Sequence, residues 1–148
     1  MTTIRQANIH DLEALVPLVD GYRQFYAQVS HPEGVRRFMR ERFEKGDAHV
    51  LLAHDADDQA IGFVQIFPVP ATTDLAPRWI LNDLFVTPEA RRHGTGSALL
   101  RAAHELARSH GVPKLLLRTQ VENRTAQSRY EALGWQRDEA FHTYLLTI

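Results

Sequence analysis

The stretch from Trp79 to Thr119 limits the possible folds more than any other. The apolar run Trp79 to Val86 stops at Thr87-Pro88 and leads into the loop Arg91-Arg92-His93-Gly94-Thr95-Gly96. Behind it, Leu99, Ala102, Ala103, Leu106 and Ala107 share one face of a helix predicted over 97–110, with Gly111 as its cap. Leu115-Leu116-Leu117 then reads as a buried strand. Strand, loop, helix and strand in this order make a crossover unit within one sheet.

The loop itself points to chemistry. Two glycines one residue apart let the backbone turn sharply and bring bare N–H groups to a ligand, and the helix behind adds its positive dipole end. Arg91 and Arg92 at the rim suit phosphate oxygens. The pattern predicts a phosphorylated ligand held at this loop. Two common phosphate loops fit poorly. A P-loop needs lysine where Ser97 follows Gly96, and a dinucleotide loop needs a third glycine where Leu99 stands, with an acidic residue where the next strand ends in Arg118-Thr119-Gln120.

Elsewhere, Ile4 to Ala7 reads as a first strand and Leu12, Leu15, Val16 and Val19 as a helix running to about Ala27, kinked at Pro17. Val35, Phe38, Met39 and Phe43 mark a second helix; its arginines, Arg36, Arg37, Arg40 and Arg42, alternate with glutamates and read as a solvated face. Two strands over 48–53 and 60–67 form a hairpin, followed by a proline-bearing loop with Pro68, Pro70 and Pro77. Asn123 caps a helix that Gly134 closes, and Phe141 to Leu146 reads as a last strand. The expectation is an α/β sandwich: a mixed sheet with helices on both faces, in one domain over 1–148.

Composition narrows the classes. A net charge of -1 gives no global field toward nucleic acid or an anionic membrane, and the absence of cysteine excludes disulfides, zinc–thiolate sites and a cysteine nucleophile. No run approaches the ~20 apolar residues of a membrane span, and the polar first residues lack a signal-peptide core, so a cytoplasmic location is expected. The eight histidines lack ligand spacing, so no metal is expected.

The loop in its setting resembles the GNAT superfamily of acetyl-CoA-dependent N-acetyltransferases. The cofactor motif is matched by Arg91, Gly94 and Gly96 after Leu84-Phe85-Val86, and a second motif by Asn123, Ala126, Tyr130 and Gly134-Trp135. Tyr22 to Tyr26, Gly62 to Gln65, and Trp79 with Asn82 to Val86 resemble the bacterial branch similar to yeast histone and polyamine acetyltransferases. The resemblance implies a mostly antiparallel sheet of about seven strands. It also implies acetyl-CoA as cofactor, with pyrophosphate on the backbone N–H groups of Arg92, His93, Gly94, Thr95, Gly96 and Ser97 and pantetheine along Leu84, Phe85 and Val86, the Val86 N–H near the thioester carbonyl.

Site roles follow from that resemblance, each beside a plainer account. Asn123 bonds the pantetheine arm or only caps its helix. Asp83 takes the proton of the amine, or pairs with Arg78 or caps a neighbouring segment. Tyr130 protonates the leaving thiolate or packs beside Ala126 and Leu133. Tyr22, Phe25, Tyr26, Phe67 and Asp83 are the candidates to line an acceptor pocket. The acceptor is an amine of a small molecule, an amino acid or a peptide, with a catalytically silent acyl-CoA sensor as the alternative function. The branch also implies a homodimer, for which Phe141 to Ile148 offers an edge strand.

Overall fold

Alternating apolar residues in 49–54 and 60–66 set the frame of the sheet: Val50, Leu52 and Phe63 turn to one face, and Leu51, Ala53 and Val64 to the other. The computed structural model describes residues 1–148 as two compact units, 1–118 and 119–148.

The first unit holds a five-stranded sheet in chain order: β1 (Thr3–Gln6), β2 (His49–His54), β3 (Ala60–Ala71), β4 (Ala76–Val86) and β5 (Lys114–Leu116). The first four strands are antiparallel neighbours, and β5 runs parallel to β4. Helices α1 (Leu12–Phe25) and α2 (Pro32–Lys45) cover one face, where Leu15, Val16, Met39, Leu52, Phe63 and Phe85 form the core. Helix α3 (Thr95–Ser109) buries Leu99, Leu100, Ala103 and Ala107. A Cβ on Gly62, whose side faces away from Phe63, would lie 3.3 Å from Leu99, which puts α3 on the opposite face. The mixed, mostly antiparallel sheet with helices on both faces is thus as expected, with five strands in place of about seven.

Three expectations are corrected. The expected proline loop is instead the far half of a long β3–β4 hairpin, in which Pro68 faces Trp79 and Pro70 faces Pro77. Pairing with β2 ends at Ile66, so beyond it β3 has an open side on which the missing proline N–H groups cost no ladder bond. Next, β5 is an edge strand, not a buried one, and Leu116 is 37% exposed. Finally, Phe141 to Leu146 is not a strand. The 119–148 unit contains α4 (Arg124–Ala132) and no other strand with which that segment pairs.

Candidate active site

Loop geometry after β4 comes from two left-handed residues, Arg92 at φ 68° and Gly94 at φ 79°. Gly94 is the N-cap of α3; no side chain caps this end, and its first turn holds no acidic residue. The Ala98 N–H already reaches the Gly94 carbonyl (2.9 Å). The N–H groups of Thr95, Gly96 and Ser97 are therefore the unspent donors of the helix start, at the positive end of its dipole.

Residues 84–86 present a second row of donors and acceptors. The bond from the Thr87 N–H to the Ile61 carbonyl (2.8 Å) fixes the parity of the β3–β4 ladder. Counting back along the register, Phe85 and Asp83 exchange bonds with Phe63 and Gln65, whereas the N–H and C=O groups of Val86 and Leu84 point away from β3. On that side β5 pairs only with Arg78, Trp79 and Ile80, so Leu84 and Val86 have no ladder partner. The Arg91 guanidinium confirms the direction by donating from Nε to the Val86 carbonyl at 2.9 Å. It is also 5.6 Å from the Phe25 ring centre and 5.5 Å from that of Phe85. Arg91 thus ties the loop back to β4, whereas the sequence put its guanidinium at the phosphate rim.

A cavity of about 360 Å³ opens between the sheet and the α1–α2 pair. Its floor is Gln65 and Phe67 from β3 with Asn82 and Asp83 from β4. Tyr22 lines it from α1; Phe25 and Tyr26 lie outside, packed edge to face at 5.2 Å, with Tyr26 also 5.0 Å from Tyr22. The Asp83 carboxylate is buried and accepts from Gln65 Nε2 (2.8 Å) and Asn82 Nδ2 (3.1 Å). Arg78 is committed elsewhere, to Asp74 at 3.3 Å, so the sequence-level pairing of Arg78 with Asp83 is not formed. Gln65 Oε1 is buried without a hydrogen-bond partner.

The far wall of the cavity is held by Asp20. It accepts from Ser30 Oγ (2.6 Å), the His31 N–H (2.7 Å) and Gln24 Nε2 (3.0 Å), which fixes the connection between α1 and α2. Burial pushes its carboxyl up, but the bonds from Ser30 and His31 and the nearby Arg23 outweigh that and hold it below the usual carboxylate range. Arg23, His31 and Arg37 reach the cavity from this wall. Nine of the twelve lining residues were not among those expected to line it, and two of these carry chemistry that matters here, Gln65 and Arg37. Gln65 was visible as the one polar residue inside the apolar run 61–67, whereas Arg37 looked like its solvated neighbours.

In the second unit the Asn123 side chain caps α4 by accepting from the Ala126 N–H at 3.2 Å. Tyr130 sits one turn on, its ring 6.2 Å from that of Trp135, and its carbonyl accepts the Trp135 N–H (3.0 Å). Away from the cavity, His49 stacks on Trp79 at 4.4 Å with His110 5.2 Å away.

An uncapped helix start after a left-handed glycine loop, next to a strand edge with outward amides, offers donors and acceptors of the kind that phosphates and amides pair with. Comparison with known proteins gives the class its name. The model of the acetyltransferase (GNAT) family matches residues 15–135, and the chain belongs to that family. The protein is therefore an acetyltransferase, and its cofactor is acetyl-CoA.

An uncharacterized N-acetyltransferase of Bacillus subtilis (strain 168), YhfO, is 39% identical over 145 residues, covering 98% of this chain and 97% of that protein. An aminoglycoside N(6')-acetyltransferase type 1 of Klebsiella aerogenes is 30% identical over 107 residues, covering 71% of this chain and 70% of the relative. Among solved structures, the crystal structure of a probable acetyltransferase superimposes with a TM-score of 0.93 at 36% identity, covering 99% of this chain and 97% of the other.

Proposed function

We propose that residues 1–148 act as one catalytic domain that moves an acetyl group directly to an amine, in a ternary complex and without an acyl-enzyme. Support for one domain is the family match, which runs from the first unit into the second. The observation that carries the site assignment is the outward parity of Leu84 and Val86 on the unpaired edge of β4, next to the uncapped start of α3.

In this reading the N–H groups of Thr95, Gly96 and Ser97, with the backbone of Arg92, His93 and Gly94, hold the diphosphate. The Leu84 and Val86 amides align the pantetheine arm. When bound, acetyl-CoA supplies the acetyl group as a thioester. The Val86 N–H stabilises negative charge on the acetyl oxygen, a contribution worth about 3 kcal/mol at comparable sites.

A lysine-like amine, with pKa about 10.4, is mostly protonated at neutral pH and must lose a proton before it attacks. Asp83 on the cavity floor takes that proton, directly or through water, while Gln65 and Asn82 orient its carboxylate. Tyr130 gives its hydroxyl proton to the departing sulfur; this role and the contact of Asn123 with the pantetheine arm rest on the family resemblance. Tyr22 and Phe67 bound the acceptor in the cavity.

The acceptor is an amine of a small molecule, amino acid or peptide, and the relative named as an aminoglycoside acetyltransferase supports a small molecule. We also place the chain in the branch similar to yeast histone and polyamine acetyltransferases, in the cytoplasm, as a homodimer joined through Phe141 to Ile148. Light scattering showing only 17 kDa particles contradicts the dimer. The catalytic reading is tested by thiol release over a panel of amines together with acetyl-CoA titration in a calorimeter. Turnover on at least one amine is expected, and tight binding of acetyl-CoA with no turnover on any amine refutes it.

A further inference from the structure

The acceptor cavity carries its charge on opposite sides. Its sheet floor holds the Asp83 carboxylate and the unpartnered Gln65 Oε1, both of which accept hydrogen bonds. Its helical wall holds two guanidinium groups and an imidazole, from Arg23, Arg37 and His31. Arg23 is partly matched, with Nη1 on the Val29 carbonyl (2.9 Å) and 3.8 Å from Asp20. Arg37 is not. The carboxylates one helical turn to either side of it are both engaged by other cations: Glu33 bonds Arg36, and Glu41 bonds Lys45 and Arg42. A guanidinium without a carboxylate at the edge of a cavity is a fork awaiting an anion.

We propose that the acceptor is a monoamine that also bears a carboxylate, with its nitrogen at Asp83 and Gln65 and its carboxylate on Arg37. The inference rests on the acetyl-transfer reading of this cavity and narrows its substrate class. Polycationic acceptors are disfavoured, because each further positive charge would meet Arg23 or Arg37. The apolar lining from Val19, Val35, Phe38 and Phe67 suits a hydrocarbon body between the two charged ends.

The protein, saturated with coenzyme A, is titrated calorimetrically with matched pairs: 4-(aminomethyl)benzoate against 4-(aminomethyl)benzamide, and 5-aminopentanoate against 5-aminopentanamide. Spermidine serves as the polycation. In at least one pair the acid binds about tenfold or more tightly than its amide. The ratio falls to near one in Arg37→Gln and is unchanged in Arg40→Gln, which alters an arginine of the same helix outside the cavity lining. The inference is overturned if amides bind as tightly as acids in both pairs, if spermidine binds more tightly than any acid, or if Arg37→Gln leaves the ratio intact.

Thiol release from acetyl-CoA with the same compounds separates the two levels. An Arg37-dependent preference without turnover removes acetyl transfer from this cavity and leaves the charge recognition standing. Equal kcat/KM for acid and amide removes the charge recognition and leaves acetyl transfer.

Discussion

Gly62→Ala tests whether the Val86 amide does what its position suggests. A Cβ on Gly62 would lie 2.8 Å from the Phe85 carbonyl oxygen, and 3.3 Å from both Leu99 Cδ1 and Val86 Cγ2. Ordinary contact begins at 3.4 Å, so the carbonyl must retreat by about 0.6 Å. The Phe85 carbonyl and the Val86 N–H belong to one rigid peptide plane, so moving the first moves the second. A shift of that size takes a donor from hydrogen-bonding range to its limit. If the donor is worth about 3 kcal/mol, losing half or all of that lowers kcat by about 10- to 100-fold. Overpacking should cost about 1–3 kcal/mol of stability, a fall in Tm of several degrees. The assay is thiol release at saturating acceptor, with Tm measured alongside. Gly46→Ala is the control: Gly46 ends α2 at φ 62° with open space around it, so an alanine there is strained and destabilising but far from the peptide plane in question. A kcat within twofold of wild type in Gly62→Ala refutes the oxyanion role of Val86. An equal fall of kcat in Gly46→Ala shows that lost stability explains both.

Asp83→Asn keeps the volume and the bond from Asn82 but removes the base, so kcat falls about 10²-fold or more, read by thiol release. Tyr130→Phe lowers kcat about tenfold or more with acetyl-CoA affinity little changed; an unaltered kcat removes Tyr130 from the mechanism. Burial and the neighbouring His110 hold the His49 imidazole below the usual histidine value, so the folded state favours its neutral form and the unfolded chain binds more protons. That stability is present above the unfolded pKa and is lost as pH falls through the lower folded one, so between about pH 7 and 5 the urea midpoint should fall less in His49→Gln than in wild type. Deleting Asn82 should abolish turnover, because it changes the register of β4, whereas Asn82→Ala loses only the bond to Asp83 and should lower kcat about tenfold or less.

What the sequence made legible was whatever is encoded locally. The β4–α3 unit could be read because apolar alternation, a stop at Thr87-Pro88, two glycines and a helical stripe all lie within a few residues of one another. The Asn123 cap and the left-handed Gly111 after α3 were readable for the same reason. Pairwise geometry was not. Prolines at 68, 70 and 77 argue against a strand unless one knows that β2 stops at Ile66 and leaves β3 an open side. Arg37 is chemically identical to Arg36, and only the commitment of Glu33 and Glu41 to other cations sets it apart. Phe25 and Tyr26 share the aromatic character of Tyr22, but the angular position of each on α1 decides which one lines the cavity.

The bulge in β4 explains how one strand serves two sites at once. From Trp79 to Leu81 the register pairs Leu81 with Ile66; beyond it, Asp83 pairs with Gln65, so Asn82 is an extra residue on β4. In an uninterrupted strand Leu81 and Asp83, two apart, would face the same side. The inserted residue instead leaves Leu81 and Trp79 on the α3 face and turns Asp83 to the α1–α2 face, where the cavity lies. The same insertion sets the backbone phase of the strand beyond it, so that Leu84 and Val86 direct their amides outward past the last bond to β5. A single added residue thus couples the carboxylate on the cavity floor to the donor row along the strand edge. Neither can be moved by one register step without losing the other, and this gives Asn82 an importance through its place in the backbone that adds to the bond its side chain gives Asp83.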